Sequence, residues 1–236
     1  MTFRVLHEDN HLLVVDKPAG VLSQSDRPGA TDDLLSQAKQ YIKIKYNKPG
    51  EAWLGLVHRL DREVGGVMIF ARTSKAAARL SEEIREGRTR KIYRALVERA
   101  PVLTSDDPGP DAEGWTDLED YLSKDPVRRI ARAAKPGKSR DDAKWARLRY
   151  RIVTAPAPPE QGPVLVEVEL ETGRFHQIRF QLSKRKAPIL GDVKYGARQN
   201  RPGVVLALHC VEMGVRHPVG GEFLNFVSPV PRAWSA

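Results

Sequence analysis

The sequence predicts a mixed, largely antiparallel α+β fold, and three observations carry that prediction. Val164 to Glu171 alternates strictly, with Val166, Val168 and Leu170 on one side and Glu167, Glu169 and Glu171 on the other, the period of a half-buried strand. Leu34, Leu35, Ala38, Tyr41 and Ile42 recur instead at helical spacing, as do Ala76, Ala77, Leu80 and Ile84. The strand and helix patterns are interspersed without the regular strand–helix repeat of a parallel α/β sheet, and there is no internal repeat or heptad.

Taken in chain order, residues 11–16 form a short apolar run closed by Lys17-Pro18-Ala19-Gly20, which predicts a strand and a turn. A helix is expected between Thr31 and Tyr46, capped by Thr31 or Asp32. Residues 67–71 are a buried-strand candidate. Thr73 to Glu86 predicts a second helix stopped by Gly87, and Ile92 to Glu98 alternates like a strand. Residues 101–114 hold three prolines and two glycines without periodicity, so an irregular insertion is expected there within one domain spanning 1–236. After Gly173, Ile178 and Leu182 suggest a short helix with Arg174, His176 and Gln177 near its start.

Composition narrows the function classes. A hydrophobic fraction of 41% is ordinary for a globular core. No apolar run approaches the ~20 residues of a membrane span. The opening residues lack the charged-then-apolar layout of a signal peptide. One cysteine, Cys210, excludes an internal disulfide framework and a multi-cysteine zinc site, so a reducing cytoplasm is the expected compartment. Lys and Arg outnumber Asp and Glu by 39 to 30, a net charge of +9 and a pI near 9.7. Such an excess favours a polyanionic partner through counterion release. From Lys124 to Arg151 eleven basic residues face three acids, so this segment carries +8 of the +9. Arg85 to Arg94 and Lys184-Arg185-Lys186 are smaller basic clusters. The bland reading of each is a solvated face; the functional one is a track for phosphates.

The densest string for chemistry is Leu56-Val57-His58-Arg59-Leu60-Asp61-Arg62-Glu63-Val64-Gly65-Gly66. Asp61 lies between Arg59 and Arg62, and adjacent cations favour an ionised carboxylate, suited to a nucleophile or base and opposed to a general acid. The bland alternative is a loop ion pair with a structural histidine beside it.

Val57-His58-Arg59-Leu60-Asp61 resembles the signature of the RluA family of pseudouridine synthases, in which the motif's aspartate is the essential catalytic residue. Lys91-Ile92-Tyr93-Arg94-Ala95-Leu96-Val97 is similar to the family's Lys-x-Tyr-x-Ala-x-Val strand. Gly173-Arg174-Phe175-His176-Gln177-Ile178-Arg179, with Pro188-Ile189-Leu190-Gly191-Asp192 and Tyr195-Gly196 downstream, is similar to its Gly-Arg-x-His-Gln-Ile-Arg block and the segment after it. His7-Glu8-Asp9, Asp16 to Val21, Leu208-His209-Cys210 and His217-Pro218 also fit, and the likeness is weakest over 100–160. Two departures stand out: Val64-Gly65-Gly66 replaces Thr-Ser-Gly after the catalytic loop, and Phe180-Gln181 replaces Val-His after Arg179. The pattern begins by residue 5, so the N-terminal RNA-binding extension of some members is expected to be absent.

The resemblance implies a pseudouridine synthase fold and isomerisation of chosen uridines in structured RNA, ribosomal or transfer. The N1–C1′ bond breaks, the uracil turns, and C5 bonds to C1′. No cofactor or metal is expected, no membrane is involved, and a monomer is the default. Asp61, Tyr93 and Arg179 are the implied catalytic residues. Arg179 would pair with Asp61, and Tyr93 would lie against the uracil and assist proton removal from C5. Asp61 would either attack the nucleoside covalently or remove a sugar proton, and the sequence leaves both routes open. The target base must be flipped from its stack, with Arg59 filling the space it leaves. Further RNA contacts are expected from His58, Arg62, Lys91, Arg174, His176 and Gln177, and from Arg128, Arg129 and Arg132 of the basic segment. By themselves, Tyr93 would be a strand-core tyrosine and Arg179 a surface helix cation. Two other classes compete: an inactive RNA-binding or ribosome-assembly module, which would not need Asp61, Tyr93 and Arg179 together, and a uracil-nucleoside N-glycosylase, which would release free base.

Overall fold

The computed structural model describes residues 2–27, 29–135, 143–155, 162–198 and 203–234. Contacts cluster into two compact units, one of Met1–Arg90 with His209–Val230 and one of Lys91–Leu208 with Pro231–Ala236. Among the described residues no helix is long and apolar enough to cross a membrane.

In the first unit, β1 (Arg4–Glu8), β2 (Leu12–Lys17), β4 (Gly65–Ala71) and β10 (Leu208–Arg216) lie side by side, with β3 (Gly55–Leu56) on β4 and β11 (Phe223–Val227) on β10. All these pairs are antiparallel except β4 with β10, so the sheet is mixed. β4 is buried along its whole length, as its unbroken apolar run requires. Helix α1 (Leu34–Lys45) lays Leu34, Leu35, Ala38 and Ile42 over Leu13, Val15, Met68 and Phe70. Its cap is Asp33, whose carboxylate accepts the Ser36 N–H at 3.1 Å, and neither Thr31 nor Asp32. Helix α2 (Ser74–Arg85) is capped by Thr73 and buries Ala76 and Leu80.

Register sets up the site. β2 and β4 run antiparallel with Lys17 opposite Gly66, so the end of β2 meets the exit of the 57–64 loop. On the other edge of β4, β10 covers Gly65 and Gly66 and β3 covers Phe70 and Ala71. Ile69 N–H lies between these two partners and donates instead to Nε2 of His58 at 2.9 Å. Gly66 has φ +115°, and a Cβ there would lie 2.6 Å from the Cys210 amide nitrogen and closer still to its carbonyl oxygen.

In the second unit, β5 (Arg90–Val97), β9 (Val164–Leu170), β8 (Lys144–Thr154), β6 (Thr116–Asp125) and β7 (Ile130–Ala133) are antiparallel neighbours in that order. Helix α3 (Gln177–Lys184) packs on β6 and β7, and Gln181 Nε2 donates to the Leu118 carbonyl and to Asp120. The 101–114 segment is irregular, as expected, yet firmly tied. Arg185, 1% exposed, bridges the carboxylates of Asp107 and Asp120 and accepts the Val102 N–H on its carbonyl.

The basic segment is not a uniform phosphate track. Its Arg147, Arg149 and Arg151 stand on alternate positions of β8, and the register puts Arg149 opposite Glu169 and Arg151 opposite Glu167. Both pairs close to 2.6 Å, and Arg147 lies 3.4–3.5 Å from Asp117, Glu119 and Glu171. The glutamates of the alternating strand thus pair with Arg149 and Arg151, whose guanidinium groups each lie 4.6 Å from the Trp115 ring. The Arg85–Arg94 cluster is partly neutralised too: Arg88 pairs with Glu83, Arg90 with Glu212 and Arg94 with Glu167. In Lys184-Arg185-Lys186, Arg185 points inward and Lys184 pairs with Asp120. Lys138 and Arg140 lie outside the described residues.

Gly66→Ala should cost at least about 2 kcal/mol, because it adds both a clash with backbone and strain at positive φ. Gly50, with nothing within 4 Å of an added Cβ, is the control. Gly50→Ala should stay within about 0.5 kcal/mol of wild type in urea denaturation.

Candidate active site

The loop from Val57 to Val64 carries Asp61, and neighbouring backbone and side chains pin it at several points. Ser23 Oγ donates to the Leu60 carbonyl at 2.7 Å and accepts the Leu60 N–H at 3.1 Å. Gly20, at φ +90°, donates to the Arg62 carbonyl and accepts from Arg62 Nε on its own carbonyl. Lys17 is fully buried, and its ammonium donates to the carbonyls of Pro18 and Arg62, each at 3.1 Å, and of Val64 at 2.7 Å. Burial pushes the Lys17 ammonium down to about 8, while Asp61 and Glu63 pull in the opposite direction. A cation therefore sits in the electrostatic field of the loop's carboxylates and ties the chain leaving Asp61 to the end of β2.

Behind the loop, Gly65 faces His209: a Cβ at Gly65 would lie 3.0 Å from His209 Nδ1 and 3.1 Å from the Lys17 carbonyl. Burial drives His209 down to about 4, so it is neutral near pH 7. Ser228 Oγ donates to Asp16 at 2.8 Å, so it accepts from Nε2–H of His209, also at 2.8 Å. The departure Val64-Gly65-Gly66 thus has a steric reason in this chain.

In the second unit, Tyr93 is 8% exposed on β5 opposite Val168. Arg179, one turn into α3, is 5% exposed. Its Nε and Nη2 fork onto Asp192 at 2.7 Å each, a bidentate geometry that fixes the guanidinium plane. Nη1 faces His176 Nε2 at 3.1 Å, and the Tyr195 ring lies under the guanidinium at 5.2 Å. Because a guanidinium only donates, His176 Nε2 accepts and Nδ1 carries the proton toward Tyr195 Oη, 2.9 Å away. Tyr195 Oη also accepts the Ala131 N–H at 2.6 Å, tying β7 to this cluster. His176 has φ 52°, a left-handed conformation uncommon for a residue with a side chain.

The expected RNA contacts fall into three groups. Arg59 is exposed and lines a hollow of about 300 Å³ with Gln24, Leu56, Val57 and His58. Arg128, Arg129 and Arg132 are exposed on the β6–β7 hairpin, where Asp125 accepts the amides of Val127 and Arg128 and Arg129 takes φ 52°. Arg174 is exposed, its Nε donating to the Trp145 carbonyl. Of the remaining residues Arg62 is exposed as well, His58 and His176 are half-buried, and Gln177 and Lys91 are buried. His58 completes the edge of β4, Arg62 clamps Gly20, and Gln177 is 2% exposed with Oε1 accepting Arg174 N–H and Thr172 Oγ–H. Lys91, 8% exposed, is buried on β5 and is not a surface cation. Lys17, Ser23, Asp192 and Tyr195 have no assigned role in the sequence reading, although three of them lie in the quoted strings.

Residues 11–184 match the model of the RNA pseudouridylate synthase family. The chain belongs to that family. It is an RNA pseudouridine synthase of the RluA type, an isomerase. A protein of Zymomonas mobilis named ribosomal large subunit pseudouridine synthase D is 30% identical over 97% of this chain and 69% of its own length. One of the same name from Xanthomonas campestris is 32% identical over 96% of this chain and 66% of its own. The chain thus spans about two thirds of these curated relatives. The human protein RNA Pseudouridylate Synthase Domain Containing 4 superposes with a TM-score of 0.74 at 24% identity, covering 98% of this chain and 90% of that one, a likeness of fold.

Lys17→Met should lower turnover roughly tenfold or more by releasing the Asp61 loop. It also changes the pH dependence of stability in a signed way. The folded value of about 8 lies below the ordinary 10.5, so the cost of burying the ammonium is fully present below pH 8. That cost is relieved as pH rises toward 10.5, a gain of roughly 3 kcal/mol in the wild type. Denaturation curves of both proteins between those pH values should show this gain in the wild type and its absence in the variant.

Proposed function

We propose that the synthase acts on ribosomal RNA, converting chosen uridines with Asp61 as the catalytic carboxylate. Supporting the substrate class are the relatives named for the large ribosomal subunit. The single observation that carries the assignment of Asp61 is its loop, held by Ser23, Gly20 and a buried lysine. Such a scaffold is out of proportion to a surface ion pair and suits a carboxylate whose position decides the rate.

The isomerisation exchanges one glycosidic bond for another without oxidation. The N1–C1′ bond breaks, the freed uracil rotates, C5 bonds to C1′, and the C5 proton leaves as N1 gains one. Asp61 acts on the sugar, either as nucleophile or as base. Tyr93 packs against the uracil and its phenol shares in proton removal from C5. Arg179 is the cation that the family resemblance assigns to Asp61, and Asp192 fixes its guanidinium plane in advance. Arg59 stacks where the flipped base leaves its neighbours. Both compact units act together as one catalytic domain, in a monomer working in the cytoplasm.

Asp61→Asn removes the carboxylate with almost no change in volume. Turnover should fall by at least about a hundredfold while the melting temperature and RNA affinity stay near wild type. Sequencing-based pseudouridine mapping of ribosomal and transfer RNA, in cells with and without the gene, identifies the uridine. A site gained only in transfer RNA would refute the ribosomal assignment.

The triple change of Arg128, Arg129 and Arg132 to Ala should weaken binding across RNA sequences. Each lost phosphate contact should remove roughly 0.7–0.9 from the slope of log affinity against log salt. Changing Arg149 should leave that slope nearly unaltered, because its charge is matched by Glu169.

A further inference from the structure

Within Gly173-Arg174-Phe175-His176-Gln177-Ile178-Arg179, Phe175 occupies the one position that the family pattern leaves open, and no role has been given to it. Its ring stacks on the His176 imidazole at 3.8 Å between centroids and 18° between planes. Lys124 Nζ stands 4.9 Å from the ring centroid. The residue nonetheless remains 39% exposed.

An exposed apolar side chain is common and by itself says little. What distinguishes Phe175 is the rigidity of its support. The imidazole beneath it is held on both nitrogens, by Arg179 Nη1 and by Tyr195 Oη, and the His176 backbone is in the left-handed region. The ring is therefore presented on a fixed base, one side chain removed from Arg179. Exposed cations and aromatics accompany it. Arg174 precedes it and reaches the Trp145 carbonyl, and Trp145 pairs across β8 and β6 with Tyr121, both rings partly exposed. Fixed aromatic faces among cations are the chemistry that receives unpaired RNA bases, since every base offers a π-face and every nucleotide a phosphate.

We infer that Phe175 is a specificity-determining residue that stacks an unpaired base neighbouring the target uridine, with Lys124 moving onto that nucleotide's phosphate. The inference rests on the reading that this chain isomerises uridine with Arg179 in its site. It adds a second platform of this chain's own making, reached through His176, so that the identity and stacking of a flanking nucleotide enter the choice of uridine.

The test uses wild type, Phe175→Leu and Phe175→Tyr on a stem-loop that contains the mapped uridine. A companion series of RNAs carries one abasic nucleotide at each position within about three of the target. Phe175→Leu should raise KM roughly tenfold and change kcat by less than about twofold, whereas Phe175→Tyr should keep wild-type KM. One abasic RNA should impose the same penalty on wild type, and on that RNA Phe175→Leu should lose nothing more. Equal KM for the leucine variant and wild type, or a leucine penalty that persists undiminished on every abasic RNA, would overturn the stacking role. A wild-type protein that forms no pseudouridine in any of these RNAs would overturn the functional reading as well, an outcome distinct from an active wild type with a flat Phe175 series.

Discussion

Burying an ammonium costs several kcal/mol, and far more when its protons lack acceptors. For Lys17 the carbonyls of Pro18, Arg62 and Val64 converge to offset the larger part of that cost. That convergence constrains much of the first unit. β2 must end where β4 begins, which fixes the antiparallel register of Lys17 with Gly66. The close approach of β10 to the same residues then demands glycine at Gly66 and crowds a Cβ at Gly65. The loop between Leu56 and Gly65 has little freedom left, and Asp61 is at its turn. Pre-organisation is the physical content: the position of the carboxylate is secured by folding and not at the moment of reaction.

Charge in the second unit follows a different logic. A count along the chain gives the Lys124–Arg151 segment almost the whole net charge, but pairing across strands decides which cations face outward uncompensated. Arg149 is spoken for by Glu169, Arg151 shares Glu167 with Arg94, and both guanidinium groups lie against Trp115. Partly exposed pairs of this kind add little stability each. Their larger effect is to flatten the local potential along β8, while Arg128, Arg129 and Arg132 of the β6–β7 hairpin are exposed.

Much of this was legible in the residues, and the exceptions share a cause. The strict alternation from Val164 emerges as β9, and the helical spacings emerge as α1 and α2, with Thr73 and Gly87 at the ends of α2 as expected. The cap of α1 is Asp33, one residue later than expected, its carboxylate accepting the Ser36 N–H, while Asp32 pairs with Arg27 at 2.9 Å. β8 was hidden in plain view. Ala146, Leu148 and Tyr150 alternate with Trp145, Arg147, Arg149 and Arg151, yet the string reads as a charge run until the glutamates of β9 are set beside it. Lys17 was missed because a lysine after an apolar run looks like the end of a strand, and its acceptors come from residues about forty-five positions later. Motifs are local in sequence; what holds the loop that carries Asp61 in place is long-range.

Two buried arginines six residues apart show why burial and pairing do not by themselves mark function. Arg185 and Arg179 are both nearly solvent-free, and each is bonded to aspartate. Arg185 has two carboxylates, Asp107 and Asp120, which tie the 101–114 segment to α3, the work of a structural staple. Arg179 has the carboxylate of Asp192 on its Nε and Nη2, with the His176 imidazole at Nη1 and an aromatic face beneath. His176, which meets Nη1, has a left-handed backbone at φ 52°, and Lys186 beside Arg185 has one too at φ 58°. Backbone strain does not separate the two; their surroundings do, since Arg185 closes on carboxylates inside the fold whereas the imidazole that meets Arg179 also supports the exposed ring of Phe175.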